Sequence, residues 1–199
     1  VHGRTWSARP DFDLQVPGEL RSVLANFAAH GFAAYAIDLR GYGATPRDRT
    51  GWLTPDRAAE DLHIVLSWIA AKDPSPRFKP VLVGWSLGSM VAQLTVQRHP
   101  EQIDALVLYG YPFAPGDSIN PDVDSTAKPN RQRNTKEGAA SDFISPAVTS
   151  QRMITAYVET ALKTDPILAD WRHLDQFNAL NPGRVQVPTL LLQGEHDPE

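Results

Sequence analysis

Val81-Leu82-Val83-Gly84-Trp85-Ser86-Leu87-Gly88 is a short apolar run, two of its first three residues β-branched, that breaks into a G-x-S-x-G pentad. Ser89-Met90-Val91-Ala92-Gln93-Leu94-Thr95-Val96 follows with the composition of a buried helix. Strand, tight turn and helix in that order make a nucleophile elbow. The turn forces the serine into an unfavourable backbone region, and a Cβ two residues before or after it would strike the neighbouring strand or helix. Glycine at 84 and 88 removes that collision, with Trp85 between Gly84 and the serine. Ser86 Oγ is then lifted clear of the sheet at a helix N-terminus, where free N–H groups favour developing negative charge. The competing reading is a glycine-rich βα turn with a bystander serine.

Around that stretch the chain is ordinary in bulk. Its 199 residues, 42% hydrophobic and 21% charged, suit one soluble domain with a sizeable core. A formal net charge of −4 gives no electrostatic footprint for nucleic acid or an anionic membrane. The absence of cysteine removes disulfides, a thiol nucleophile and thiolate metal sites, and fits a cytoplasmic location. No run of eighteen apolar residues offers a membrane span. The chain opens on Val1 rather than Met and closes at Glu199 just after an expected strand, so truncation at both ends is expected, with a signal peptide conceivable upstream. Oligomeric state leaves no mark in the sequence.

Upstream of the elbow, Val1-His2-Gly3-Arg4-Thr5 reads as a strand end entering a loop. In hydrolases with an elbow, a His-Gly pair at such a place marks the loop whose N–H completes an oxyanion hole, here Arg4 with Leu87 as the other donor. The alternative is a His-Gly pair with no role. Residues 6–18 are polar and Pro-rich and read as loop. Leu20, Val23, Leu24, Phe27 and Ala28 recur at helical spacing, closed by His30-Gly31. Phe32 to Leu39 is the next expected strand and Arg40-Gly41-Tyr42-Gly43 its loop. Ala58, Leu62, Val65, Leu66 and Ile69 line one face of a helix that starts near Thr54-Pro55 and ends before Pro74, with His63 off that face and solvated.

Past the elbow helix, which ends at His99-Pro100, Ala105 to Leu108 is a short strand. The alternation predicts an α/β fold with a doubly wound, mostly parallel sheet and helices on both faces. Residues 112–183 interrupt that rhythm. No strand is expected between Tyr111 and Gly183, the polar run Lys128 to Lys136 reads as an exposed loop, and two helices are expected. The first starts at Ser145-Pro146 and shows Ile154, Tyr157, Val158, Ala161 and Leu162. The second starts at Asp165-Pro166 and shows Leu168, Trp171 and Leu174. A helical insert after a strand end has the character of a cap over a site, leaving 1–111 and 184–199 as the core. Pro188 to Gln193 resumes the core and runs into Gly194-Glu195-His196-Asp197. Asp197, just past a strand end on a glycine turn, stands on the same sheet edge as Ser86 and can orient a histidine; otherwise it is an aspartate in a polar turn.

His2-Gly3, Asp38-Leu39-Arg40-Gly41-Tyr42-Gly43, the 84–88 pentad and Gly194-Glu195-His196-Asp197, in this order and spacing, resemble the α/β-hydrolase fold superfamily. The Gly-Trp-Ser-Leu-Gly elbow is similar to that of pimeloyl carrier-protein methyl esterases. The resemblance implies Ser86 as nucleophile, Asp197 as triad acid, and the N–H groups of Arg4 and Leu87 as oxyanion hole, with His2 and Gly3 in the supporting loop. It places the triad histidine one strand and loop beyond the acid, past Glu199, and none of the six histidines present suits that role. The function implied is hydrolysis of a small carboxylic ester or acyl substrate through an acyl-enzyme, with no metal or organic cofactor. A peptidase or amidase of the proline-iminopeptidase type, an acyltransferase and a perhydrolase use the same parts, and a non-catalytic ligand-binding protein on this fold is the alternative of another class. Serine at the elbow argues against dehalogenases and epoxide hydrolases, which need a carboxylate nucleophile.

Overall fold

The apolar runs around the pentad become strands, and the buried helix after it lies across them. The structure, a computed structural model, describes residues 1–72, 79–114, 116–124, 126–195 and 197. Helices α1 (Ala8–Phe12) and α2 (Val23–Ala29) precede a two-residue strand, β1 (Trp52–Leu53), and the long helix α3 (Pro55–Lys72). β2 (Val81–Trp85), α4 (Leu87–Arg98) and β3 (Ala105–Tyr109) come next. Helices α5 (Lys136–Ala140) and α6 (Gln151–Thr164) and a second short strand, β4 (Asp170–Trp171), lead to β5 (Thr189–Leu192).

The main sheet is parallel in the order β2-β3-β5, with Leu82 opposite Leu106 and Leu106 opposite Thr189. Val1 lies along the other side of β2: its N donates to Val83 O (2.6 Å) and its O accepts from Trp85 N (3.0 Å). Parallel neighbours need a crossover, which α4 supplies between β2 and β3. Every residue of α4 from Leu87 to Gln97 is buried, because the helix packs on β2 and β3 on one side and on α3 on another. Such a helix carries no polar stripe. α3 is amphipathic instead and buries Ala58, Ala59, Leu62 and Leu66, each leucine side chain contributing about 1.5–3 kcal/mol. Thr54 caps it as its sequence predicts, Oγ1 accepting from Arg57 N (3.3 Å). A second cluster joins Trp6, Leu14 and Val16 to Ala139, Tyr157 and Ala161, so α5 and α6 pack on the chain's opening segment. Among the described residues no helix is long and apolar enough to cross a membrane.

The structure corrects several expectations. Phe32 to Leu39 forms no strand. A strand is held by its neighbour's ladder, and here Leu39 N donates not to a backbone carbonyl but to His2 Nε2. Residues 6–18 are not all loop, since they hold α1, which is too short to print a helical period. α2 forms with Ser22 as its cap (Oγ accepting from Ala25 N, 2.9 Å), but it starts after Leu20 and buries none of its residues. His30 does cap its end, with Nδ1 2.8 Å from Asn26 O. The helix expected from Ser145-Pro146 begins at Gln151, capped by Ser150, after a single 3-10 turn at Pro146–Val148, and the short α5, which is not expected from the sequence, precedes it.

The second insert helix does not form. The Asp165 carboxylate accepts Ser7 N (2.9 Å) and Gly43 N (2.8 Å), which ties the chain down just where a helix would start. The chain forms β4 there instead, paired parallel with β1, and then a 3-10 helix, Leu174–Ala179. There is therefore a strand between Tyr111 and Gly183, too short to show alternation. Trp171 and Phe177 belong to the main core rather than to a separate layer. His63 is half-buried, stacked on His99 with ring centroids 3.8 Å apart and bonded to Gln102 Oε1 (2.9 Å). The expected stop before Pro74 lies outside the described residues.

Candidate functional site

The tight turn is built as its glycines require. Ser86 has φ 53° and ψ −127°, a left-handed conformation that costs a non-glycine residue on the order of 1–3 kcal/mol and persists only where the surroundings impose it. A Cβ at Gly84 would lie 2.5 Å from both Gly88 O and Ser89 Cα. A Cβ at Gly88 would lie 2.7 Å from Val1 O and closer still to His2 O. The elbow is thus pressed between β2, α4 and the loop that carries His2 and Gly3. Gly3 itself is in ordinary contact, its Cβ position 3.4 Å from Ser86 Cβ.

The ladder runs on past the strand ends. Ser86 N donates to Tyr109 O (2.8 Å), and Gly110 N donates to Leu192 O (2.9 Å). Ser86, Gly110 and the Gln193–Gly194 turn therefore stand in a row at the carboxyl edge of the sheet, the edge at which open α/β sheets place their ligands. Trp85 spans that edge, its ring within 3.7 Å of a Cβ placed on Gly3 and within 3.5 Å of one on Gly110. Asp197 reaches the same row. Its Oδ2 accepts Gly194 N (2.7 Å) and lies 3.8 Å from the Gly110 Cβ position.

Arg4 and Leu87 face one cleft. It measures about 330 Å³ and is lined by these two residues, by Phe113 and Ile119 on one arm of the chain, and by Leu174 and Phe177 on another. Arg4, Asp117 and Ser118 add polar atoms to an otherwise apolar lining. Among the described residues neither Arg4 N nor Leu87 N donates to a protein acceptor, so two N–H groups that border the cleft are free to receive one. Leu87 is the first residue of α4, whose dipole adds to that tendency.

The loop that presents Arg4 is fixed from behind. His2 is fully buried. Its Nε2 accepts Leu39 N (3.1 Å), which places the proton on Nδ1, donating to Gly3 O (2.8 Å). Burial pushes the imidazole down from 6.5 to about 4, so the ring is neutral and both nitrogens are engaged. Tyr42, 4.4 Å from the His2 ring, donates its OH to Arg4 O and accepts Trp171 Nε1 (2.7 Å). Burial pushes that phenol up, so it stays a donor at neutral pH. Tyr42 and Trp171 are functional supports that reading along the chain misses. The R-G-Y-G loop is visible in the sequence, but its partner lies in a stretch expected to be helix.

Among the described residues no side chain bonds Ser86 Oγ. The five described histidines are occupied elsewhere: His2 between Leu39 N and Gly3 O, His30 on Asn26 O, His63 and His99 stacked together, and His173 beside Asp122 (3.4 Å). His196 lies outside the described residues. Among the described residues, the site therefore brings together Ser86, Gly3, Arg4, Leu87 and the Asp197 turn, with no base on the serine.

The model of a family described as serine aminopeptidase, S33, matches residues 18–198. The pimeloyl-[acyl-carrier protein] methyl ester esterase of Chromobacterium violaceum is 26% identical over 193 residues, 90% of this chain and 71% of that protein. The monoacylglycerol lipase of Mycolicibacterium smegmatis is 29% identical over 111 residues, 56% of this chain and 39% of that protein. Among solved structures, an Arabidopsis methylesterase is 20% identical and covers 96% of this chain and 74% of its own, with a TM-score of 0.58. The thioesterase domain from the curacin biosynthetic pathway is 17% identical and covers 98% of this chain and 73% of its own, with a TM-score of 0.59. These two likenesses concern the fold alone.

Proposed function

This chain belongs to the serine aminopeptidase S33 family, among the esterase- and lipase-like α/β-hydrolases, and from that premise we propose that it cleaves carboxylic esters through an acyl-enzyme on Ser86. The observation that carries the reading is the left-handed Ser86 at the head of a buried helix, next to two N–H groups without a protein acceptor among the described residues, on residues that line one mainly apolar cleft.

In the proposed reaction Ser86 Oγ forms a bond to the ester carbonyl carbon as its proton passes to a histidine. The carbonyl π pair moves onto oxygen, where the N–H groups of Arg4 and Leu87 receive it. Each such donor contributes roughly 3–4 kcal/mol in the transition state. Collapse of the tetrahedral species breaks the bond to the alcohol oxygen, which takes the proton, and water then cleaves the Ser86 ester by the same steps. Asp197 is the carboxylate suited to orient the histidine, because its turn lies two strands from Ser86 on the same sheet edge. None of the five described histidines is placed as that base.

The cleft indicates the size of the acyl part. A volume of about 330 Å³ is at the lower end of small-molecule sites and has room for a compact, mainly apolar group. The methyl ester esterase relative supports a small alcohol as leaving group. Residues 112–183 supply most of that cleft's outer lining, which supports their role as the cap that sets specificity. The test is covalent labelling with a fluorophosphonate and turnover of p-nitrophenyl esters by the full-length protein. Both are expected in the wild type and lost in Ser86→Ala; labelling at another serine, or turnover that survives the substitution, overturns the assignment.

A further inference from the structure

The two outer walls of the cleft are held in different ways. The 3-10 helix Leu174–Ala179, which carries Leu174 and Phe177, is bolted to the core: Gln97 on α4 donates to Ala179 O (3.1 Å) and accepts Asn181 N (2.7 Å), and Gln176 Oε1 accepts Asp56 N at the start of α3 (3.0 Å). The facing arm, which carries Phe113 and Ile119, is tied mainly to itself, through Ala114 N on Asp117 Oδ2 (2.7 Å) and Asp117 N on Ala114 O (3.1 Å). Its bond to the core comes at its root, Tyr111 N on Gln193 Oε1 (3.2 Å). Further along, Asn178 grips it twice, Oδ1 accepting Ile119 N (2.8 Å) and Nδ2 donating to Ile119 O (2.9 Å), and beyond the cleft Asp122 Oδ2 accepts His173 N (2.9 Å) and Asp124 O accepts Arg172 (3.1 Å).

We infer that Asn178 is a specificity-determining positioning residue: by fastening Ile119 to the wall that carries Leu174 and Phe177, it holds the cleft narrow and selects short acyl chains. The inference rests on the proposed ester-cleaving function. Asn178 acts through Ile119 and does not line the cleft. Phe113 and Ile119 pack against the edge of the main core and are only partly buried, so the position of Ile119 also depends on the two bonds to Asn178. Without Asn178 the stretch between the root at Tyr111 and the tie at Asp122 is released at Ile119, which widens the cleft locally without touching Ser86, Arg4 or Leu87.

The experiment is to compare wild type, Asn178→Ala and Asn178→Asp on p-nitrophenyl acetate and p-nitrophenyl octanoate, using the full-length protein. Asn178→Ala is expected to leave acetate kcat/KM within about twofold and to raise octanoate kcat/KM roughly fivefold, mainly through KM, since each net hydrogen bond is worth a small factor of this order. Asn178→Asp keeps the acceptor for Ile119 N but sets a carboxylate oxygen against Ile119 O, and is expected to behave like Asn178→Ala. An unchanged octanoate-to-acetate ratio, or an equal fall with both esters, overturns the inference. The ester reading fails separately, by turnover that survives Ser86→Ala. Octanoate binding, followed by calorimetry in the Ser86→Ala background, judges Asn178 without turnover: tighter binding on adding Asn178→Ala supports the inference, and no change overturns it.

Discussion

Replacing Gly88 with alanine is expected to damage stability and the site together, because the added methyl meets backbone that cannot rotate away. Its Cβ would lie 2.7 Å from Val1 O, with His2 O nearer still, whereas real Cβ atoms essentially never come within 3.0 Å of such neighbours. Two relaxations are open. If α4 moves, the contacts of its buried face on β2 and β3 are lost. If the His2–Gly3 loop moves, Arg4 N leaves its place, and misplacement by about 1 Å is enough to cost roughly 10²-fold in rate. The stability loss should reach the upper end of overpacking, about 3 kcal/mol. For a chain of this size that corresponds to a fall in melting temperature of roughly 6–12 °C. Gly31→Ala is the control: Gly31 has φ +86° but nothing within 4 Å of its Cβ position, so only the backbone penalty applies. That penalty is about 1–2 kcal/mol. Thermal melts followed by circular dichroism, with p-nitrophenyl acetate turnover on the same samples, separate the two effects. A Gly88→Ala protein that melts no lower than Gly31→Ala and turns over ester at the wild-type rate would refute the tight contact between elbow and loop.

Two further outcomes concern pH. His2 is held neutral by burial, its value lowered from 6.5 to about 4, so the unfolded chain binds the proton first and stability falls as pH drops through that window. The group accounts for about 3 kcal/mol between pH 7 and pH 4, and urea midpoints should show a shallower acid slope in His2→Asn than in wild type. Asp11 works in the opposite sense: burial, with Asp142 close by, pushes its carboxyl well above the usual range, and its Oδ2 has no partner among the described residues. The folded state keeps a proton that the unfolded state releases, so stability falls as pH rises above about 4. Asp11→Asn, neutral at every pH, should therefore raise the melting temperature at pH 8 and do so less at pH 4; an equal change at both would sink this account.

The parts of the fold that sequence reading reached are those decided by neighbours along the chain. Gly84 and Gly88 are required by sterics inside one turn, and the α3 stripe of Ala58, Leu62 and Leu66 is a local period. The parts it missed are decided by a partner far along the chain. Asp165-Pro166 has the letters of a helix start, yet Asp165 spends its carboxylate on Ser7 and Gly43, which no local pattern announces. Trp171 sits in a two-residue strand whose partner is Trp52–Leu53, too short for alternation to register. Phe32 to Leu39 has a strand's composition, but composition does not supply a ladder. For the site, Ser86 and Gly3 come together through the elbow's own geometry, whereas Asn178 and Tyr42 depend on contacts that only the folded chain creates.

The residues that fix the Arg4 loop also bear on where the insert ends. Tyr42 steadies Arg4 only while Trp171 holds its hydroxyl, and Gly43 in the same loop is held by Asp165. Asp38 completes the frame by accepting Ala8 N (2.9 Å) and Ala44 N (3.2 Å). Asp165 and Trp171 lie within the 112–183 insert by sequence, yet the Asp165 carboxylate holds Ser7 and Gly43, and Trp171 pairs with Leu53, bonds Tyr42 and is packed in the main core. A strained Ser86 needs a rigid surround to keep its conformation, and part of that surround comes from the insert's final third. From Asp165 onward, past the end of α6 at Thr164, the chain therefore packs with the segments that surround Ser86, while Leu174 and Phe177 still line the cleft.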